Sequence, residues 1–434
     1  MRISFKQISG LIILVIVTIT YLAISYYETQ HTSAAVKKIY FADRMTAAHR
    51  ILIDRYNKLH EGKIKVIPID FPNDDFSTNE RKELLARSLR GRGDGIDVFA
   101  VDIIWVQRFA KWGEPLDKYF TVNEKSKILD IALKSCYSDG EMVAVPLDMV
   151  QGVMYYRQDL LKKLKNGGEI IDKINHDITW SDFIKLKFEI NSKNPFYVFP
   201  AADYEGFVCS FMEKLLSLNP DYFQQEGFNF ETRDAEKALQ LVVDMINKYN
   251  LSPPVVTSFT EPGSYAYFIK NDGLFLRGWT SYDKDFAESP YNVKKQNELR
   301  KAPLPYFKDG RPASILGGWD VMVSKFSDKK KEAVDFIKFL ISNSSQETFY
   351  KQSAFYPIVK DFYNNPVYLK KYPEIKMIKP LLKTAVRRPD HAEYTKYSKI
   401  MSYYFNKALK KEISVNSALI NCTKAIQLDK LILR

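Results

Sequence analysis

The chain has 434 residues, of which 46% are hydrophobic and 27% charged, and its 64 Lys and Arg against 52 Asp and Glu give a formal net charge of +12. This composition excludes a disordered chain, a collagen-like chain and a small disulfide scaffold. The length predicts two domains or lobes rather than a single core. Lys and Arg are scattered along the chain, so we expect no nucleic-acid partner.

The N-terminal segment predicts a membrane anchor. Arg2 and Lys6 precede an uncharged run over residues 8–27, and Glu28 follows it. Such a run spans about 30 Å as a helix, which matches a hydrocarbon core and is longer than the apolar part of most cleaved signals. The charge bias places residues after about 30 outside the cytoplasm. Cleavage near residues 32–34 is the alternative.

Strands and helices alternate in the first half of the exported chain. Short apolar runs predict strands at residues 37–41, 64–71, 96–102, 142–147 and 152–156. Between the first two, Ile51, Leu52, Tyr56 and Leu59 follow helical spacing, and a second helix is predicted at residues 81–89. This alternation predicts an α/β fold with a parallel sheet covered on both faces.

The later part of the chain is mostly helical. Ala235, Leu239, Val242 and Ile246 repeat at helical spacing, and residues 333–341 show the same pattern. A strand is predicted at residues 321–324. Prolines predict loops at residues 253–254, 262–263 and 303–305.

The usual signatures of catalysis are missing. The histidines lack zinc-ligand spacing, and no nucleophile elbow or phosphate-binding loop occurs, so we expect no metal, cofactor or catalytic residue. Cys136, Cys209 and Cys422 are far apart, which predicts buried free thiols. Paired carboxylates stay open, because Asp102, Asp148 and Asp320 end or flank predicted strands. They could serve a glycoside hydrolase or simply accept hydrogen bonds from sugar hydroxyls.

Three tryptophans stand at element boundaries beside polar residues or glycines. Trp105 follows Asp102 by three positions, Trp279 ends a predicted strand, and Trp319 follows Gly318. Small residues beside a large ring allow a ligand to approach the backbone while the ring covers one face of it. Sugars need such rings for their C–H faces, together with carboxylates and guanidinium groups for their hydroxyls. We therefore predict a sugar site.

Several motifs together resemble the extracytoplasmic solute-binding proteins of carbohydrate ABC importers, of the trehalose/maltose-binding type. In chain order they are residues 80–91, 97–106, 115–117, 152–160, 204–209, 278–279, 317–319, 332–340, 356–357 and 388–389. The resemblance implies a periplasmic-binding-protein-like α/β fold with two lobes, a hinge and a ligand cleft, here preceded by one N-terminal transmembrane helix. We place the stub and anchor at residues 1–35, the first lobe at 36–148 plus 320–356, and the second at 149–319 plus 357–434.

The resemblance also implies the ligand-binding residues. They are Arg81, Asp102 and Trp105 from the first lobe, Tyr204, Trp279 and Arg388 from the second, Gly318 and Trp319 at a crossing, and Tyr356. Asp148 and Asp320 are added because they lie close to the crossings. One position departs from the family: many relatives carry an acidic residue where this chain has Val150, which affects the expected specificity.

The expected function is capture of a di- or oligosaccharide by cleft closure and its delivery to an ABC importer permease. We expect a monomer outside the cytoplasm, in the periplasm or at the cell surface, held in the cytoplasmic membrane by residues 8–27. Two alternatives stay open. One is a membrane-tethered sugar-sensing module, and the other is a glycoside hydrolase with paired carboxylates.

Overall fold

The computed structural model describes residues 15–22, 35–71, 78–92, 95–176, 178–190, 192–285 and 293–428. Of the predicted anchor, only residues 15–22 are described, and they are helical. Among the described residues, no helix combines the length and apolar character needed to span a membrane. The alternative cleavage site at residues 32–34 lies outside the described residues.

Eleven strands are described, and nine of them form one sheet. The strands are β1 Lys37–Asp43, β2 Ile64–Asp70, β3 Val98–Asp102, β4 Tyr137–Ser138, β5 Glu141–Met142, β6 Val145–Arg157, β7 Tyr197–Val198, β8 Phe275–Trp279, β9 Leu299–Ala302, β10 Ser314–Val323 and β11 Ala385–Val386. The order in the large sheet is β2-β1-β3-β10-β6-β8-β7, with β11 beside β10 and β9 beside β6, while β4 and β5 pair separately.

Two long antiparallel strands, β6 and β10, connect the two lobes. The first part of β6 pairs with β10, and its second part, Gly152–Tyr156, pairs with β8 in the second lobe. Strand β10 pairs with β11 at its start and with β3 in the first lobe at its end. The sheet is therefore mixed rather than parallel as predicted, because strands that leave and re-enter a lobe run in opposite directions. Only β1–β2, β1–β3, β7–β8 and β10–β11 are parallel among the described pairs.

The prediction of two separate strands at residues 142–147 and 152–156 was wrong, since β6 runs through both. The connecting residues, Asp148 to Gln151, include neither Gly nor Pro, so no turn residue interrupts the extended backbone. This continuity makes β6 a bridge between the lobes.

Helices cover the sheet in both lobes. The longer ones are α1 Ala47–Leu59, α2 Thr78–Arg90, α3 Gly167–His176, α4 Trp180–Ile190, α5 Glu205–Leu218, α6 Arg233–Asn247, α7 Glu261–Lys270, α8 Lys330–Leu340, α9 Asn343–Ser353, α10 Ile375–Leu382, α11 Tyr394–Leu409 and α12 Val415–Gln427. Short α-helical or 3₁₀ turns occupy Ile103–Trp105, Val106–Phe109, Ala110–Trp112, Asp117–Tyr119, Val122–Ser126, Asp130–Leu133, Lys134–Cys136, Gln158–Leu161, Tyr222–Gln225, Pro254–Ser258, Tyr282–Asp285, Val293–Asn297, Lys360–Asn364 and Pro366–Lys371.

The helix predictions are confirmed, but one loop prediction is wrong and one helix buries fewer of its apolar residues than its spacing suggests. The face of α6 that carries Ala235, Leu239 and Val242 is buried as expected. Pro262 lies in the first turn of α7 instead of a loop, because proline has no N–H to lose at that position. In α1, Leu52 and Tyr56 are buried, whereas Ile51 and Leu59 are exposed.

The first lobe contains more of the chain than predicted. Phe362, Ile375 and Ile378 pack in the same apolar cluster as Phe41 and Phe336. Main-chain hydrogen bonds from Leu129 to Ile358 and between Met149 and Tyr356 hold the start of this segment to that lobe. Residues from 357 to about 382 therefore belong to the first lobe, not the second as we predicted.

The second lobe resumes after β11. Helices α11 and α12 pack on α5 and α6 in a cluster that includes Phe211, Leu239 and Phe405. The same cluster continues through Trp105 to the other face of the first-lobe strands, so the two lobes touch. All three cysteines are buried and unpaired, as predicted.

Candidate functional site

Two tryptophans and an arginine from the first lobe meet at the cleft end of β3. Trp105 and Trp319 contact edge to face with their centroids 6.0 Å apart, and the guanidinium of Arg81 lies 4.1 Å from the centroid of Trp319. Burial lowers the pKa of Arg81 to about 10. The sequence places these groups through β3 and β10, where Trp319 pairs with Asp102. Asp102 also accepts a hydrogen bond from the Ile104 N–H and so begins the turn that carries Trp105.

An arginine joins carboxylates from the two lobes. Arg388 Nη2 donates to Asp102 Oδ1 at 2.8 Å, and its Nη1 donates to Glu205 Oε1 at 2.9 Å. Burial alone would lower the pKa of Arg388, but the two carboxylates raise it overall. Glu205 also accepts hydrogen bonds from Tyr394 and Ser398. Arg388 is therefore held in place before any ligand arrives.

Trp279 is the second-lobe counterpart of Trp319. Its six-membered ring lies against Gly317, and Val150 pairs with Gly317 on the neighbouring strand. Arg277 stacks 4.2 Å from the Trp279 centroid, and its Nη2 donates to Glu213 Oε1 at 2.6 Å. The buried ion pair between Arg277 and Glu213 thus holds the guanidinium against the ring of Trp279. Val150, which stands where the sequence resemblance suggested an acid, and Trp279 both approach Gly317, so the surroundings of this glycine are apolar.

Tyr204 and Glu261 lie together beside Trp279. Both would contact a Cβ at Gly206, and Glu261 interacts with Tyr204 and Trp279. Burial raises the pKa of Glu261, and burial together with Glu261 raises that of Tyr204. Glu261 was not predicted from the sequence, because it belongs to none of the Trp-containing motifs. The one feature that could have suggested it is its position in the first turn of α7.

Gly318 and Asp148 face each other where the strands cross. Gly318 has a φ of +145°, and a Cβ there would overlap the carbonyl oxygen of Asp148, so only glycine fits. The Asp148 side chain stands opposite Trp319 on the paired strand. Tyr356 is buried and bonds to Met149 through its main chain, with its N–H 2.7 Å from the Met149 oxygen.

Asp320 is a predicted site residue whose side chain the structure does not bring to the other site residues. It is fully buried, and its carboxyl faces Ser135 and Cys136 inside the first lobe. Trp319 and Asp320 are neighbours on β10 and pair in regular register with Asp102 and Val101 of β3, so their side chains point to opposite faces of the sheet. Burial raises the pKa of Asp320 to about 7. We therefore correct the expectation that Asp320 lines the site.

A second ionic link between the lobes was missed. Arg44 Nη2 lies 2.5 Å from Asp285 Oδ1, and Arg44 follows Asp43 at the end of β1. Asp43 in turn lies 3.1 Å from His49 Nε2. The strand-end reasoning that selected Asp102 applies equally to Asp43, but sequence could not reveal the distant partner Asp285.

Metal binding is not indicated in the part of the chain that the structure describes, because no group of three His, Cys, Asp or Glu side chains there could hold an ion. The chemistry available is hydrogen bonding and ring stacking.

Comparison with known proteins gives consistent matches. The family model described as bacterial extracellular solute-binding protein matches residues 39–347. The chain is 25% identical over 376 residues to a Deinococcus radiodurans protein named "Probable ABC transporter-binding protein", covering 84% of this chain and 85% of that one.

Solved structures show the same architecture. Maltose-bound MalE3 of T. maritima is 27% identical, with a TM-score of 0.79 over 91% of this chain and 100% of that one. The cyclic alpha-maltosyl-1,6-maltose binding protein of Arthrobacter globiformis, 21% identical with a TM-score of 0.72, covers 91% of this chain and 98% of its own. At that identity it supports the fold alone.

Proposed function

Because the chain belongs to the family of bacterial extracellular solute-binding proteins, we propose that it binds a di- or oligosaccharide between its lobes and presents it to an ABC importer permease. The family and its relatives are binding proteins, not enzymes. The maltose in the T. maritima neighbour supports a sugar as the ligand.

The observation that carries the proposal is the placement of two ring surfaces along one strand. Trp279 lies against Gly317, and Trp319 follows two residues later on β10. The backbone positions of Gly317 and Trp319 are at most about 7 Å apart, so both rings contact or belong to the same short stretch of β10. Two rings so close along the chain could together cover more than one sugar unit, which supports a di- or oligosaccharide as the ligand.

Polar groups at the edges of these rings would satisfy the hydroxyls. Asp102 and Glu205 carry acceptor oxygens that Arg388 already contacts, and the guanidinium of Arg81, stacked on Trp319, carries N–H donors. Charged groups make stronger hydrogen bonds than neutral ones, and their fixed positions reduce the entropy lost on binding. A sugar could therefore be held by its faces and its rim at once.

Cleft closure would couple binding to transport. Contacts from both lobes favour the closed state only to the extent that the ligand binds it more tightly than the open state. The Arg388 and Arg44 links already bring the lobes together, so a ligand would add to contacts that exist in the structure. The permease would then receive the closed, loaded form.

Location outside the cytoplasm follows from the family. The proposal also includes a membrane anchor at residues 8–27, which the apolar sequence supports. It includes a monomeric state and docking on a permease, which membership of the family supports. Sequencing the mature N-terminus tests the anchor, since a start near residue 35 would contradict it.

A thermal-shift screen against sugars tests the function. A ligand at 100 times its Kd stabilises the folded protein by about 2.7 kcal/mol. We expect a di- or oligosaccharide to raise the melting temperature and to be recovered intact. Release of smaller sugars would instead support a glycoside hydrolase, and no shift with any sugar would contradict the proposal.

A further inference from the structure

The buried carboxyl of Asp148, where β6 and β10 cross, has one oxygen without a hydrogen-bond partner among the described residues. Asp148 is 2% exposed, and the oxygen is Oδ1. It stands opposite Trp319 in the strand pairing, and the backbone of Trp319 interacts with the same carboxyl. A buried oxygen without a partner has lost its hydrogen bonds to water and has not replaced them. A ligand that forms a hydrogen bond with it would therefore bind more tightly.

The charges around Asp148 disfavour its ionised form. Asp43 acts on it electrostatically from the end of β1, and Asp320 acts on it from the neighbouring strand β10. Arg44 is the cation that acts on it, but Arg44 is already bound to Asp285 in the second lobe. Burial first and these carboxyls second raise the pKa of Asp148 well above its usual range.

We propose that Asp148 binds the sugar as a neutral carboxylic acid and donates its O–H to a ligand oxygen, so that sugar affinity falls as the pH rises. We rest this on the proposed function, because it requires a sugar in the cleft. A donor is what a ring or glycosidic oxygen needs, since such an oxygen can only accept. Closing the cleft removes water, which disfavours the carboxylate further.

The sign of the pH effect follows from the proton count. Below the pKa of Asp148 in the free protein, the acid is already protonated and affinity stays constant. Above it, binding takes up one proton from the buffer, and Kd rises up to tenfold for each pH unit. An asparagine at this position carries an N–H donor and does not titrate.

Calorimetric titration tests this with the full-length protein in a detergent that has no sugar headgroup. The probe is whichever of maltose, trehalose, cellobiose and lactose gives the largest thermal shift, titrated from pH 5 to 9 in two buffers of different ionisation enthalpy. For the native protein we expect Kd to rise with pH and up to one proton to be taken up. The D148N variant should bind with a flat pH profile and no proton uptake. Asp130→Asn, an exposed carboxylate remote from the cleft, is the matched control and should keep the native profile.

The outcomes separate the two proposals. If none of the four sugars gives a shift, the screen is extended to their tri- and tetrasaccharides, and no shift with any of these overturns the proposed function and this inference with it. Sugar binding whose Kd is constant with pH, or falls as pH rises, leaves the proposed function standing and overturns the role of Asp148. A pH dependence that persists unchanged in D148N also overturns it.

Discussion

Arg388 and Asp102, 286 positions apart in the chain, meet at 2.8 Å between the two lobes. Asp102 ends β3 of the first lobe, and Arg388 follows β11 at the return to the second. The same guanidinium also donates a hydrogen bond to Glu205, so one side chain binds carboxylates from both lobes.

Replacing Arg388 by alanine should destabilise the protein. Two carboxylates would lose their common cation, and removal of one partner from a buried ion pair costs about 3–5 kcal/mol. Urea unfolding followed by tryptophan fluorescence measures this free energy. Arg50→Ala is the control, because the exposed Arg50 pairs with Asp70 near the surface, and it should cost under about 1 kcal/mol. Equal effects of the two substitutions would show that Arg388 does not link the lobes.

Gly318→Ala should be more harmful than an ordinary glycine substitution. A methyl group there would collide with the backbone carbonyl of Asp148, in addition to the unfavourable φ. We expect a loss of about 2 kcal/mol or more in unfolding free energy. Gly62→Ala provides the comparison, because Gly62 also has a positive φ, +76°, but has open space around it. That variant should lose only about 1 kcal/mol. The crossing geometry is contradicted if the two variants unfold alike.

Asp320 should make stability depend on pH. Its pKa is raised from 3.8 to about 7 in the folded protein, so between these values the folded state binds more protons than the unfolded one. The contribution of Asp320 to the free energy of unfolding is therefore fully present below about pH 4. It falls by up to about 4 kcal/mol as the pH rises to about 7. Asp320→Asn should remove this fall and be more stable than the native protein at pH 8.

Denaturant midpoints measured from pH 4 to pH 8 test this dependence. The control Asp130→Asn changes an exposed carboxylate and should keep the native slope. If Asp320→Asn keeps it as well, the carboxyl of Asp320 does not carry the pH dependence.

Local patterns in the sequence predict much of the fold. Helical spacing identified α6, and apolar runs identified β1, β2 and β3 within a few residues. The continuity of β6 was missed because nothing in Asp148 to Gln151 distinguishes a bridge between lobes from a short loop. The return of residues 357–382 to the first lobe depends on packing in the apolar cluster that also contains Phe41, which is distant in the chain.

In the candidate site, too, the sequence predicted what depends on local patterns and missed what depends on long-range contacts. Trp105, Trp319 and Asp102 were selected because they adjoin the ends of predicted strands, and the structure brings them together, although Trp319 lies inside β10 because that strand begins earlier than predicted. Arg44 and Asp285 are 241 positions apart, and only the folded chain pairs them. Asp320 was misplaced because we chose it for its nearness to a crossing, whereas the alternation of side chains along β10 points it away from the face that carries Trp319.

Isothermal titration of Trp279→Ala and Trp319→Ala with the sugar found in the thermal-shift screen tests the central claim most directly. Each ring should contribute stacking and burial, so each variant should bind about 1–3 kcal/mol more weakly than the native protein. Phe188→Ala, which removes an exposed ring from α4, is the control and should bind normally. Isotherms of both tryptophan variants that match the native protein would contradict a sugar site between the lobes.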